Sequence, residues 1–228
     1  ISWLCLLIVT ASVPILVILA DFAFLLSSDS YLYSLAASTA TTENAVQQMT
    51  RETATAASKD VIAYVRGAES ELQYASYFRP EELSHLAAVR SVVSASFALM
   101  YFLAVVIAAS IVWLFVISRK TATFIFALRQ AFFWSGIAIV ALIVLLFLAS
   151  LSFDFAFTAF HKLLFRSGQW QFQENYLLVN LFTTDFFARM ARDILLGSLF
   201  FGVSLIASTA AAKKFIRPST KKVINVGK

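Results

Sequence analysis

Four stretches of this chain are long enough to cross a bilayer and carry almost no charge. They are Ile1 to about Leu26, interrupted only by Asp21, then Ser91–Ser118, Gln130–Phe153 and Ile194–Ala212. Crossing a hydrocarbon core takes about 20 mainly apolar helical residues. Only helices and closed barrels satisfy their backbone polar groups inside lipid. Composition agrees: 60% of the residues are hydrophobic and 14% are charged, against about 25% charged in soluble domains. The expected fold is therefore an all-α integral membrane protein with four transmembrane helices. The first stretch is long for a signal peptide and is read as an anchor. The chain begins at Ile1 without a methionine, which predicts further residues before it.

The basic residues orient the bundle. The link between spans two and three carries Arg119, Lys120 and Arg129 and no acid. The tail carries Lys213, Lys214, Arg217, Lys221, Lys222 and Lys228, again without an acid. The positive-inside rule places both in the cytoplasm, with the N-terminus beside them. The net charge of +5 is then topology charge, and no nucleic-acid partner is expected. The resulting division is 1–26 span one, 27–90 outer segment, 91–118 span two, 119–129 link, 130–153 span three, 154–193 outer loop, 194–212 span four and 213–228 tail. Cys5 is the single cysteine, so no internal disulfide can form.

Both outer segments show helix signals. Thr41-Thr42 before Glu43 predicts a helix from 43 to Arg66, and Gly67 suits a C-terminal residue at positive φ. Pro80, with Glu81 and Glu82 behind it, predicts a second start. A helix over 80–118 would be about 58 Å long at ~1.5 Å per residue, so it overshoots the ~30 Å hydrocarbon core. In the second outer segment, Phe157, Phe160 and Leu164 follow helical spacing. They predict a short amphipathic helix lying in the interface. Ser167-Gly168 reads as a turn, Trp170 as an interface anchor, and Thr183-Thr184-Asp185 as the capped start of span four.

Only two histidines occur, His85 and His161, and both fall in the outer segments. His85 stands six residues before the uncharged run of span two, about 9 Å along a helix, in the headgroup zone. Histidine is the side chain whose ordinary pKa suits proton transfer near neutrality. A pair at a lipid–water boundary fits acid–base work on lipid esters. Two histidines with Glu82 could in principle hold zinc, but neither His-Glu-x-x-His nor a cysteine ligand set is present, and no metal or cofactor is expected. No Gly-x-Ser-x-Gly elbow surrounds Ser84. A transporter would place ionisable groups or broken helices at the bilayer midplane, where these spans hold mainly Ser and Thr. A non-catalytic accessory protein that binds lipid or a partner is the other alternative.

The run Asp60-Val61-Ile62-Ala63-Tyr64-Val65-Arg66-Gly67, then Glu82-Leu83-Ser84-His85-Leu86 with Val89 and Arg90, resembles the outer domain of the lipoprotein intramolecular transacylases. So do Phe160-His161, Phe165, Gly168, Trp170 and Phe172, and the later pairs Leu181-Phe182 and Phe186-Phe187. The resemblance covers roughly residues 42–190. It implies an enzyme that moves the sn-2 acyl chain of a diacylglyceryl-cysteine lipoprotein onto the α-amino group of the same cysteine. Diacylglyceryl-modified lipoproteins and membrane phospholipids would be its partners, and the bacterial cytoplasmic membrane its location, with the working face outside. It also implies His85 and His161 as the catalytic pair. His85 serves as base and His161 as acid or oxyanion partner, or the reverse. Glu82, Arg90, Tyr64, Arg66 and Trp170 are the supporting candidates. One position departs from the family pattern His-Leu-x-Asp-Val: Ala88 stands where the aspartate is expected, one turn after His85. Glu82 or Glu81, one turn before, is the carboxylate left to orient the ring.

Overall fold

A computed structural model describes residues 2–41, 49–118, 120–165 and 170–212. Among them, helices follow one another in the order α1 (Ser2–Ser27), α2 (Asp29–Thr39), α3 (Arg51–Val65), α4 (Pro80–Ile117), α5 (Thr121–Ser150), α6 (Phe153–Leu164), α7 (Leu177–Leu181) and α8 (Thr184–Ala212). Helices α1, α4, α5 and α8 are long and apolar enough to cross a membrane. They coincide with the four charge-poor stretches of the sequence over most of their length, but α5 stops at Ser150, short of the expected end of span three at Phe153, which instead opens α6.

Helix α1 is the centre of the bundle, packing on α4, α5 and α8, while α5 also packs on α8. Val9, Val13 and Val17, one turn apart, face Ile107 of α4 and Ala131, Ile139 and Ile143 of α5. In lipid no hydrophobic gain draws helices together, so close approach at small residues does it. Gly136 of α5 and Gly202 of α8 supply that approach. A Cβ on Gly136 would lie 2.8 Å from Ile206 Cγ1, and one on Gly202 would lie 2.7 Å from Ile139 Cγ2. The one acid of the first span, Asp21, accepts a 2.6 Å hydrogen bond from the Ser198 hydroxyl of α8. A polar group in a span is thereby paired across a helix interface.

Outside the bundle a second core joins α2, α3, the first turns of α4, and α7, with Leu32, Ala57, Val61, Leu86, Leu181 and Phe186 among its members. Helix α2 runs outward beside the top of α8. Tyr31 donates to Asp193 at its inner end, and the Thr183 hydroxyl donates to the Thr39 carbonyl at its outer end. Helix α3 returns toward the membrane, and its C-cap residue Arg66 pairs with Asp29 at the base of α2.

Local chemistry sets where these helices start and stop. Helix α3 begins at Arg51, not at 43. Residues 42–48 lie outside those described, but Met49 and Thr50 are non-helical, and the Thr50 hydroxyl caps the helix by accepting from the Thr53 amide. Gly67 has φ +83°, and the amides of Gly67 and Ala68 return to the carbonyls of Tyr64 and Ala63. That is the helix-ending motif glycine permits. Helix α4 carries Pro80 in its first turn, and Glu82 reaches back to the Arg79 amide. Helix α5 starts at Thr121, inside the expected link, and Thr183 caps α8 by accepting from Phe186. The expected Ser167-Gly168 turn and the tail at 213–228 lie outside the described residues.

Candidate active site

The overlong α4 carries His85 past the end of the apolar run, one turn after the Pro80–Glu82 start. Helix α6, after the turn that ends α5, carries His161 in its last turn. The two rings face each other with centroids 6.1 Å apart and planes 21° from parallel. Contact between stacked carbons falls at about 3.5–4.0 Å, so the rings do not touch face to face.

Aromatic side chains hold both rings. Phe165 and Phe172 flank His85 at centroid distances of 4.8 and 5.4 Å. Phe157 and Trp170 flank His161 at 4.0 and 4.9 Å. Each histidine is only 8% exposed. Burial in apolar walls disfavours the charged imidazolium. It pushes His85 down to about 4, with the neighbouring His161 adding to the effect. Burial also lowers His161, but there the Phe157 carbonyl works in the opposite direction.

That carbonyl decides the tautomer. His161 Nδ1 lies 2.8 Å from the Phe157 oxygen, one helical turn back. A carbonyl can only accept, so Nδ1 carries the proton and Nε2 holds the free lone pair. The His85 ring makes no hydrogen bond to the described residues and packs against Phe165 and Phe172.

The supporting candidates separate into different places. Trp170 is at the pair. Glu82 is wholly buried one turn before His85, but its oxygens face elsewhere. Oε2 accepts from the Arg79 amide and Oε1 from the Leu178 amide, both at 2.7 Å. Glu82 therefore ties α7 to the start of α4 and does not orient the imidazole. Glu81 is exposed. Arg90 donates to the carbonyls of Glu69 and Ser70, and its guanidinium lies 4.6 Å from the centre of the Tyr64 ring. Arg66 is held by Asp29. Arg90, Tyr64 and Arg66 thus brace the turn after α3.

Helix α6 also differs from its expected lipid stripe. Phe157 turns inward, against His161 and within 5.8 Å of Phe187, whereas Phe160 and Leu163 are exposed. The inward stripe is Phe157, His161 and Phe165 at four-residue spacing. Phe165 and Phe172, which the resemblance marked without giving them a role, and Phe157, which was read as part of the lipid stripe, line the histidine pair.

Four long apolar helices, capped at one end by a small folded domain that buries a histidine pair, make this a multi-pass integral membrane protein. Residues 7–187 match the family described as lipoprotein intramolecular transacylase Lit. The chain belongs to that family and is an intramolecular acyltransferase. No curated protein sequence matches it. Solved structures of lipoprotein intramolecular transacylase Lit from Bacillus cereus share the fold. One matches with a TM-score of 0.64 at 19% identity, covering 94% of this chain and 98% of that one. A variant of the same protein, in which a histidine is replaced by alanine, matches with a TM-score of 0.67 at 18% identity, covering 95% of each chain.

Proposed function

We propose that this enzyme moves the sn-2 acyl chain of a diacylglyceryl-cysteine lipoprotein to the α-amino group of the same cysteine, through His85 and His161. The product is an N-acylated lyso-lipoprotein. The observation that carries the reading is the facing histidine pair with the His161 tautomer locked by Phe157.

The reaction needs no protein nucleophile, because the substrate's own amine attacks its own ester. The amine, with an ordinary pKa near 8, must lose a proton as it attacks. His161 Nε2 is the acceptor: its lone pair is free, and the bond from Nδ1–H to the carbonyl supports the imidazolium that forms. His85, kept neutral by its aromatic surroundings and by any charge on His161, donates its N–H to the oxygen of the tetrahedral intermediate. Collapse breaks the bond between the acyl carbon and the glycerol oxygen. The proton on His161 passes to that oxygen, so the pair ends as it began. Of the two role assignments the sequence leaves open, this geometry favours His161 as base. Holding amine and ester of one molecule together supplies the proximity contribution.

The site lies on the extracytoplasmic face, since Lys120 and Arg129 mark the opposite end of the bundle as cytoplasmic. Phe160 and Leu163 on the outer side of α6 enter the lipid there, and the acyl chains reach the histidines beneath them. Co-expression with a diacylglyceryl-modified lipoprotein tests the reading. Mass spectrometry of the N-terminal lipopeptide should show the N-acyl, lyso-glyceryl form. Unaltered substrate beside well-expressed enzyme refutes it.

A further inference from the structure

The cations of the outer domain have different fates. Arg66 pairs with Asp29, Arg79 lies over Tyr176, and Arg90 is tied to two carbonyls. Arg51 and Lys59 are exposed, and neither meets a carboxylate among the described residues. The Lys59 ammonium lies 5.1 Å from the centre of the Tyr33 ring. Both line a single cavity of about 200 Å³ between α2 and α3. Helix α3 presents Arg51, Thr55 and Lys59 at four-residue spacing. Helix α2 faces them with Tyr33 and small alanines, and Leu181 of α7 closes the floor. No described acid lines this groove.

Its direction narrows the occupant. Asp29 follows the end of the first span and pairs with Arg66, which puts that contact at the membrane surface. Lys59 lies seven residues further along α3, about 10 Å outward, and Arg51 lies fifteen residues along, about 22 Å outward. The headgroup layer adds only about 6 Å to each side of the hydrocarbon core, so the Arg51 end of the groove rises beyond the reach of a lipid phosphate. Its two cations are about 12 Å apart, the span of about four extended residues. The groove also lies within a short peptide's reach of the histidine pair. Leu181 is one turn from Leu178, whose amide is held by Glu82, itself one turn before His85. The separation is on the order of 15 Å, which about five extended residues cross.

We propose that the α2–α3 groove binds the polypeptide of the substrate where it leaves the membrane, and that Arg51 and Lys59 select acidic side chains in it. The proposal rests on the acyl-transfer reading: a lipidated cysteine at the histidines sends its following residues along this path. Acidic residues about five to nine positions after the cysteine would meet the two cations.

Purified full-length enzyme is given synthetic diacylglyceryl-cysteine peptides. They carry two Asp, two Gln or two Lys residues four apart in that window. The Asp peptide should show about fivefold higher kcat/KM than the Gln peptide, through KM, as expected of two exposed ion pairs. Arg51→Gln/Lys59→Gln should erase the advantage, bringing the Asp and Gln peptides to the same kcat/KM. Arg51→Glu/Lys59→Glu should transfer the preference to the Lys peptide. Equal KM values in the native enzyme, or an advantage that survives the double substitution, would overturn the proposal. So would a rate for the Gln peptide that depends on Arg51 and Lys59 only when anionic phospholipid is added. If no peptide is converted, the acyl-transfer reading fails, and the groove is judged separately. Fluorescence polarisation of the labelled Asp peptide without lipid must then differ between the native enzyme and the Gln double variant, or the proposal falls.

Discussion

Replacing Glu82 separates a fold-holding carboxylate from a catalytic one. Its side chain is wholly buried, and each oxygen accepts one backbone amide at 2.7 Å, from Arg79 and from Leu178. Hydrogen bonds to a charged group contribute about 1.5–3 kcal/mol each, and an orphaned buried amide costs about 1–3 kcal/mol. In Glu82→Gln the charge goes and one acceptor becomes an NH₂ facing an N–H donor. The loss should be about 3 kcal/mol. Glu82→Ala orphans both amides and should lose more. For a chain of 228 residues, 3 kcal/mol corresponds to a fall in midpoint of roughly 10 °C. The assay is thermal unfolding of the purified enzyme in detergent, followed by tryptophan fluorescence, with activity measured well below both midpoints. There the Gln variant should keep activity within a few-fold and an unshifted pH–rate profile, because its carboxylate does not touch the imidazole. A Gln variant with a native midpoint and no activity would refute this reasoning and place Glu82 in proton transfer.

Four further outcomes follow from the same geometry. His85→Ala and His161→Ala should each lower turnover at least about 100-fold while the protein remains folded, as checked by size-exclusion profile and lipopeptide mass spectra. Stability should depend on pH in one direction. Unfolded histidine takes up protons below about 6.5, but His85 resists protonation until about 4. This contribution is therefore complete above pH 6.5 and is lost as pH falls from there toward 4, which unfolding midpoints across that range will show. Ala88→Asp should supply a carboxylate one turn from His85 and raise its pKa, read by NMR of labelled histidine. At the helix interface, Gly202→Ala drives a methyl into Ile139 and should cost about 1–3 kcal/mol. Ile139→Ala should partly restore the unfolding midpoint.

Much of the site was legible because the chain is poor in the relevant residues. Two histidines in the whole sequence, both outside the apolar runs, left few alternatives, and the Pro80–Glu82 start placed His85 on a helix. Glu82 was misjudged for an instructive reason. Helical spacing puts it one turn from His85, but spacing does not say where a flexible carboxylate points. The amide that claims Oε1 belongs to Leu178, ninety-six residues away. Arg90 and Tyr64 were likewise marked by resemblance, yet they serve the turn after α3. Phe157 was assigned to lipid because an amphipathic stripe has no sign: periodicity shows which residues share a face, not what that face meets.

Sequence by itself determined the membrane class, the four spans and the scarcity of proton-transfer groups. Those properties are summed along the chain, residue by residue, and burial in lipid selects on that sum. The tertiary structure decided the 6.1 Å pairing of His85 with His161 and the removal of Glu82 to a tether between α4 and α7. It also brought Arg51 and Lys59 into one groove. These depend on contacts between segments far apart in the chain, where packing and backbone amides compete for each side chain. Only the Nδ1 lock on His161 is local, because its partner is the carbonyl one turn back on the same helix.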